Sequence, residues 1–148
     1  GTVIKHIPGH GLTKVDSHKK TPIVKNKLSY LLKNDFSAFK KKKSFFAMTA
    51  HVIYKNIDDK YTATHSSKII KLIRKKIGFK NIIMSDDISM KALKYPLKVN
   101  ILKALSAGCN LILHCNANYS EMRIVAENSP LLDKFIIKKT SQFYNFLS

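Results

Sequence analysis

Cysteine is nearly missing: the 148 residues hold only Cys109 and Cys115, which flank a single apolar run. Two thiols so placed exclude a disulfide framework and fit a reducing compartment, so a cytoplasmic location is expected. Long apolar runs are missing too. No stretch of about 18 uninterrupted apolar residues occurs, which excludes a transmembrane helix, and no signal peptide is visible. Arginine is scarce: of 27 basic residues only Arg74 and Arg123 are arginine, against 25 lysines. Acidic residues number 9, leaving a net charge of +18 that invites nucleic acid or an anionic membrane. Base-edge and bidentate phosphate recognition favour arginine, however, and the lysines are spread over presumed helices instead of one face. The run Lys40 to Lys43 fits a helix C-terminus, where cations are favoured. Nucleic acid is therefore not expected as a partner.

What is present is enough for one folded domain, since 148 residues with 45% hydrophobic content can bury a core. Along the chain one pattern repeats: a short apolar run, a polar end, then an amphipathic segment. The first unit runs from Thr2-Val3-Ile4 through a loop to a helix over about Val24 to Phe39, with Leu28, Leu31, Leu32, Phe36 and Phe39 at helical spacing. The second is a strand from Phe45 to Ala50 ending at His51, then a helix from Lys68 to Ile77 that Gly78 stops. The third is Asn81 to Met84 ending at Ser85-Asp86-Asp87, followed by a helix carrying Val99, Leu102 and Leu105 that Gly108 stops. The fourth is Leu111 to Leu113 ending at His114-Cys115, with helices around Met122 to Glu127 and Leu131 to Phe146. Four βα units in a row predict an α/β fold with a parallel sheet and right-handed crossovers.

Ligands gather at the carboxyl ends of such strands, and Lys5, His6, His51, Asp86 and His114 all fall there. The stretch Lys5-His6-Ile7-Pro8-Gly9-His10-Gly11, followed by Asp16-Ser17-His18, crowds titratable and turn-forming residues directly after the first strand. Asp16 and His18 lie two apart, so in extended backbone both face one way and the carboxylate can hold the imidazole as a proton shuttle. Two other readings stay open: solvated loop residues, or a metal held by His6, His10 and His18. Asp86, directly after an Ile-Ile-Met run, is equally suited to chemistry and to capping the next helix, as are its neighbours Ser85 and Asp87.

KHIPGHG, DSH, the TAH after the second strand, the GF-IIMSDDISM block and AGCNLILHCN occur in an order that resembles the β-N-acetylglucosaminidases of glycoside hydrolase family 3, the NagZ-like group of peptidoglycan recycling. The resemblance runs to about Val125. It implies a (β/α)8 barrel of which this chain, residues 1 to 148, is the C-terminal half: four βα units, with the first half absent, since a barrel of about 250 residues does not fit.

The resemblance also implies roles. Asp86 is the nucleophile that forms a covalent glycosyl-enzyme, His18 the acid/base, and Asp16 the group that orients the imidazole; the outcome is retention by double displacement. Lys5 and His6 match a sugar-binding pair, and His51 is a weaker candidate supporting them from behind. No metal and no cofactor are implied. The expected substrate is N-acetylglucosamine at the non-reducing end of a peptidoglycan-derived muropeptide. The open half-barrel implies a complementary N-terminal half or self-association. The alternative is a non-catalytic, sugar-binding remnant of the same fold.

Overall fold

In the computed structural model, which describes residues 1–17 and 19–147, four parallel strands form one sheet in the order β1 (Val3–Ile7), β3 (Phe46–Thr49), β5 (Ile82–Asp87), β6 (Leu111–Leu113). Spatial order follows chain order, so every crossover steps one strand further in the same direction, the winding of a barrel sheet and not of a doubly wound one. Register is set by the pairs Val3 with Phe46, Phe46 with Ile82, and Met84 with Leu111. Each strand carries a short apolar run, such as Ile82-Ile83-Met84 in β5 and Leu111-Ile112-Leu113 in β6, as a sheet covered by helices requires. The units expected from the sequence are all present, and β1 extends beyond the expected Ile4 to include Lys5, His6 and Ile7.

A second, two-stranded parallel pairing joins β2 (Ile23–Val24) to β4 (Ile53–Tyr54), in the segments that follow β1 and β3. It corrects the expected helix over Val24 to Phe39. Val24 is a strand residue, the helix α1 is confined to Leu28–Lys33, and Asp35–Phe39 forms a 3-10 turn. The apolar stripe read from that segment still faces inward: Leu31 and Phe36 are fully buried, and Leu28, Leu32 and Phe39 pack against the core.

The second unit's helix, α2 (Ser67–Leu72), starts where the Ser66 hydroxyl accepts the Ile69 N–H and continues into a π-helical turn, Ile73–Ile77. Gly78 ends it at φ 84°, a left-handed conformation open to glycine. Ile69, Ile70, Ile73 and Ile77 are buried. In α3 (Leu97–Ala107) the buried face is Asn100, Ile101, Ala104 and Ala107; of the apolar residues named from the sequence, Leu105 packs against the core and Leu102 is exposed. Gly108 stops this helix at φ 113°, and a Cβ there would meet Ile70 Cγ2 at 2.9 Å. The last helices are α4 (Tyr119–Asn128), capped by the Asn118 side chain, and α5 (Lys134–Leu147). Phe143 of α5 packs its ring on Phe45 and Phe46 at the amino end of β3. Among the described residues no helix is long and apolar enough to cross a membrane.

Candidate functional site at the carboxyl ends of the strands

Asp86 leaves the carboxyl end of β5 with its side chain 16% exposed, and its Oδ2 lies 3.5 Å from Nε2 of His6, whose side chain is 30% exposed. The two come from strands that are not neighbours: β3 runs between them, so their backbones are about 10 Å apart at ordinary strand spacing. Contact across that gap means that both side chains lean over the end of β3.

Asp86 is not the residue that ties down the following turn. Asp87 is: its Oδ1 accepts the Ser89 N–H at 3.1 Å and the Cys115 N–H at 3.3 Å, and the Ser89 hydroxyl donates to the same carboxylate. Of the three residues suited to capping, Ser85 is buried and accepts the Leu113 N–H, Asp87 closes the turn, and Asp86 keeps one oxygen on the Asp87 N–H at 2.8 Å and turns the other to His6.

Behind this pair stands His51, fully buried. Its Nε2 lies 2.9 Å from the Asp87 carbonyl oxygen, which only accepts, so Nε2 carries the proton and Nδ1 accepts from the Thr64 hydroxyl at 2.7 Å. Thr64 having given its proton to the ring, the Thr49 hydroxyl donates to Thr64 at 2.8 Å. This chain of three hydrogen bonds runs from the end of β3 to the end of β5, directly beneath Asp86. Burial lowers the imidazole's pKa, and the nearby Asp86 and Asp87 carboxylates only partly oppose that, so His51 is neutral and holds the relay's polarity.

The Pro8-Gly9-His10-Gly11 loop is pinned from below by two residues that sequence reading passed over. The Tyr54 hydroxyl donates to the Gly9 carbonyl, and Asp35 Oδ1 accepts the Gly11 N–H at 3.3 Å. A Cβ on Gly9 would lie 2.3 Å from Asp35 Oδ2, so glycine is needed there for close approach of a carboxylate. Desolvation raises the Asp35 pKa, and burial raises that of Tyr54 well above its ordinary value. The signal for Asp35 was in the sequence: a carboxylate inside the apolar stripe between Leu31 and Phe39, with two glycines elsewhere to receive it.

Lys5 is exposed on β1, and the His10 ring lies tilted against that of His6 with centroids 5.5 Å apart, its Nδ1 3.0 Å from the Thr13 hydroxyl. Asp16 is exposed, its carbonyl accepting the Lys19 and Lys20 N–H groups. His18 lies outside the described residues. His114, at the end of β6, is paired through Nε2 with Glu121 at 2.8 Å, a hydrogen bond that with one from Asn116 lowers the Glu121 pKa. Cys115 is exposed and Cys109 buried, both as free thiols; burial pushes the Cys109 thiol up to about 12. Among the described residues no three His, Cys, Asp or Glu side chains gather as a metal site.

A parallel sheet wound in one direction, with a carboxylate and an imidazole converging over its carboxyl edge, defines part of a (β/α)-barrel with a polar strand-end site. The family model described as the glycosyl hydrolase family 3 N-terminal domain matches residues 1–140, and the chain belongs to that family. The β-hexosaminidase of Actinobacillus succinogenes is 36% identical over 121 residues, covering 78% of this chain and 35% of that protein. Among solved structures, the family 3 β-N-acetylglucosaminidase from Paenibacillus sp. FPU-7 superposes with a TM-score of 0.80 at 29% identity, over 85% of this chain and 25% of its own. Native NagZ from Neisseria gonorrhoeae does so with a TM-score of 0.79 at 28% identity, over 93% and 41%. The chain thus spans about a third of the length of the curated relatives it matches.

Proposed function

We propose that this chain carries the nucleophilic half of a retaining β-N-acetylhexosaminidase acting on terminal β-linked N-acetylglucosamine, with peptidoglycan-derived muropeptides as substrate and cell-wall recycling in the cytoplasm as its setting. The observation that supports it most is the placement of Asp86: at a strand's carboxyl end, released from capping by Asp87, and facing His6. In this reading the Asp86 carboxylate attacks the anomeric carbon as the glycosidic bond breaks. His18 protonates the leaving oxygen, and Asp16 holds the imidazole in place. Water, deprotonated by the same imidazole, then cleaves the glycosyl ester with a second inversion, giving net retention. An imidazole titrates near neutrality without the upward tuning a carboxylic acid needs to serve as a proton donor. Lys5 and His6 donate to sugar hydroxyls. His51 acts at one remove: it fixes the Asp87 carbonyl and with it the direction in which Asp86 points.

The relatives' length argues for a complementary half-barrel that supplies further substrate contacts and covers the open edges of β1 and β6. The test is release of p-nitrophenol from p-nitrophenyl β-N-acetylglucosaminide, by the protein alone and with the remaining two thirds of a curated relative supplied in trans. Turnover in the mixture that falls at least about a thousandfold in Asp86→Asn and His18→Ala supports the reading. Turnover indifferent to Asp86→Asn, or none in any mixture, overturns it in favour of a sugar-binding remnant.

A further inference from the structure

The loops that follow the strands form a second cleft that shares no residue with the His6–Asp86 pair. It lies where the segments following β1, β3 and β5 meet, a cavity of about 80 Å³ lined by Tyr61, Thr62, His65, Lys60, Lys94 and Tyr95 among others. A wider groove of about 480 Å³ continues from it past the same Tyr61 and His65 to Lys103 of α3. We propose that this cleft binds a small hydroxylated organic anion, a sugar acid or a sugar phosphate.

The charge of the ligand follows from what surrounds the cleft. Three lysines border it, none of the residues lining the cavity or the groove is acidic, and among the described residues neither Lys60 nor Lys103 has an ion-pair partner. Lys103 Nζ is held 4.5 Å from the Tyr61 ring centroid and 4.7 Å from that of Tyr95, and Lys60 Nζ lies 5.4 Å from Tyr61. Cation–π contacts fix the direction of an ammonium group without neutralising it. Such a positioned charge recruits a carboxylate or phosphate more readily than a mobile surface lysine does. Tyr61 already senses this field: the Lys103 hydrogen bond and the charges of Lys103 and Lys60 lower its phenol pKa, so negative charge is favoured at this spot.

The ring and hydroxyls follow from the walls and what stands behind them. Tyr61 and Tyr95 offer aromatic surface beside the Lys103 ammonium, against which the apolar C–H groups of a pyranose pack. Behind the walls, Thr62 and His65 are 6% and 7% exposed, and Thr62 Oγ1 and His65 Nε2, both closed off from solvent, have no hydrogen-bond partner, an expensive state that a ligand hydroxyl relieves once these side chains turn towards it. His65 is kept neutral, its pKa lowered to about 4 by burial, so one of its nitrogens offers a lone pair to a hydroxyl. The turn itself is rigid: both carboxylate oxygens of buried Asp58 are occupied, one by the Lys60 and Tyr61 N–H groups and the other by the Ser66 hydroxyl. The cavity holds one end of a monosaccharide, and the groove beside Lys103 receives the rest.

The experiment is calorimetric titration of the protein with glucuronate, glucose 6-phosphate and, as the neutral control, glucose, in 20 mM and 500 mM salt. Both anions are expected to bind at least tenfold more tightly than glucose, with that margin shrinking at high salt. Binding by only one of the anions identifies the carboxylate or the phosphate as the natural group. Lys103→Met and Tyr95→Ala, both at accessible positions, each weaken the anions at least fivefold, and Asp86→Asn leaves them unchanged. Glucose binding as well as the anions, anion affinity indifferent to Lys103→Met and Tyr95→Ala, or loss of binding in Asp86→Asn overturns the proposal. The Asp86→Asn arm separates this site from the glycosidase reading, because either can fail without the other.

Discussion

The hydrogen-bond chain under Asp86 makes a quantitative claim about Thr64. Its hydroxyl is fully buried and sits between two groups that are themselves fully buried, Thr49 Oγ1 at 2.8 Å and His51 Nδ1 at 2.7 Å. Thr64→Val keeps the volume and removes only the hydroxyl, leaving Thr49 without this acceptor and His51 Nδ1 without its donor. Each stranded buried group costs about 1–3 kcal/mol, offset in part because valine's extra methyl needs no hydration, so the net destabilisation is about 3 kcal/mol. Urea unfolding at pH 7.5 measures it as a lowered midpoint at constant m-value. Two controls isolate the hydroxyl. Thr64→Ser restores the chain and costs about 1 kcal/mol for the missing methyl, and Thr49→Val/Thr64→Val costs less than the sum of its singles because the stranded donor is gone. A Thr64→Val loss below about 0.5 kcal/mol, or strict additivity in the double variant, refutes the relay.

Burial of His65 sets a pH dependence whose sign is fixed. Its ordinary value of 6.5 is lowered to about 4 in the fold, so between those limits the unfolded chain takes up a proton that the folded one refuses. Stability is complete above pH 6.5 and falls as pH drops towards 4; at about 1.4 kcal/mol per pH unit the loss comes to roughly 3 kcal/mol. Urea titrations from pH 7.5 to 4 should show that His65→Phe loses about that much less than the wild type, and parallel pH profiles would exclude the effect. Gly9→Ala drives a methyl to within 2.3 Å of Asp35 Oδ2 and is expected to destabilise by about 1–3 kcal/mol, measured by thermal melting. Because Gly9 has no positive φ, the cost is purely steric, and the same change in an Asp35→Ala background should cost less than half as much.

Much of the scaffold was legible because its determinants are local. Ile82-Ile83-Met84 is too short and too apolar for anything but a buried strand, and Gly78 and Gly108 stop helices where only left-handed backbone continues the chain. The break in the first helix was not legible, since what takes Val24 out of it is pairing with Tyr54, thirty residues on. Part of the inward face of α3 was not legible for a related reason: Asn100, a polar residue, is buried there, and its amide donates to the Tyr95 carbonyl at 2.9 Å, a contact no apolar periodicity encodes. At the site, strand ends alone pointed to Lys5, His6, His51, Asp86 and His114. They did not say which would meet. His6 reaches Asp86 across the end of β3, whereas His114 is drawn to Glu121 in the next helix. Asp87 and Asp86 look alike in sequence, and only the turn through Ser89 and Cys115 separates the structural carboxylate from the one that faces the open edge.

That distinction carries the functional account, and it is open to direct chemical test. The complemented protein is incubated with the 5-fluoro derivative of N-acetyl-β-glucosaminyl fluoride, whose glycosyl-enzyme forms faster than it hydrolyses, and its peptides are mapped by mass spectrometry. The account predicts one adduct of the fluorosugar on the peptide containing Asp86, with fragmentation placing it on that carboxylate and Asp86→Asn abolishing it. An adduct on Asp87 or on any other residue, or unmodified Asp86 in a preparation that still turns over the nitrophenyl substrate, would contradict it.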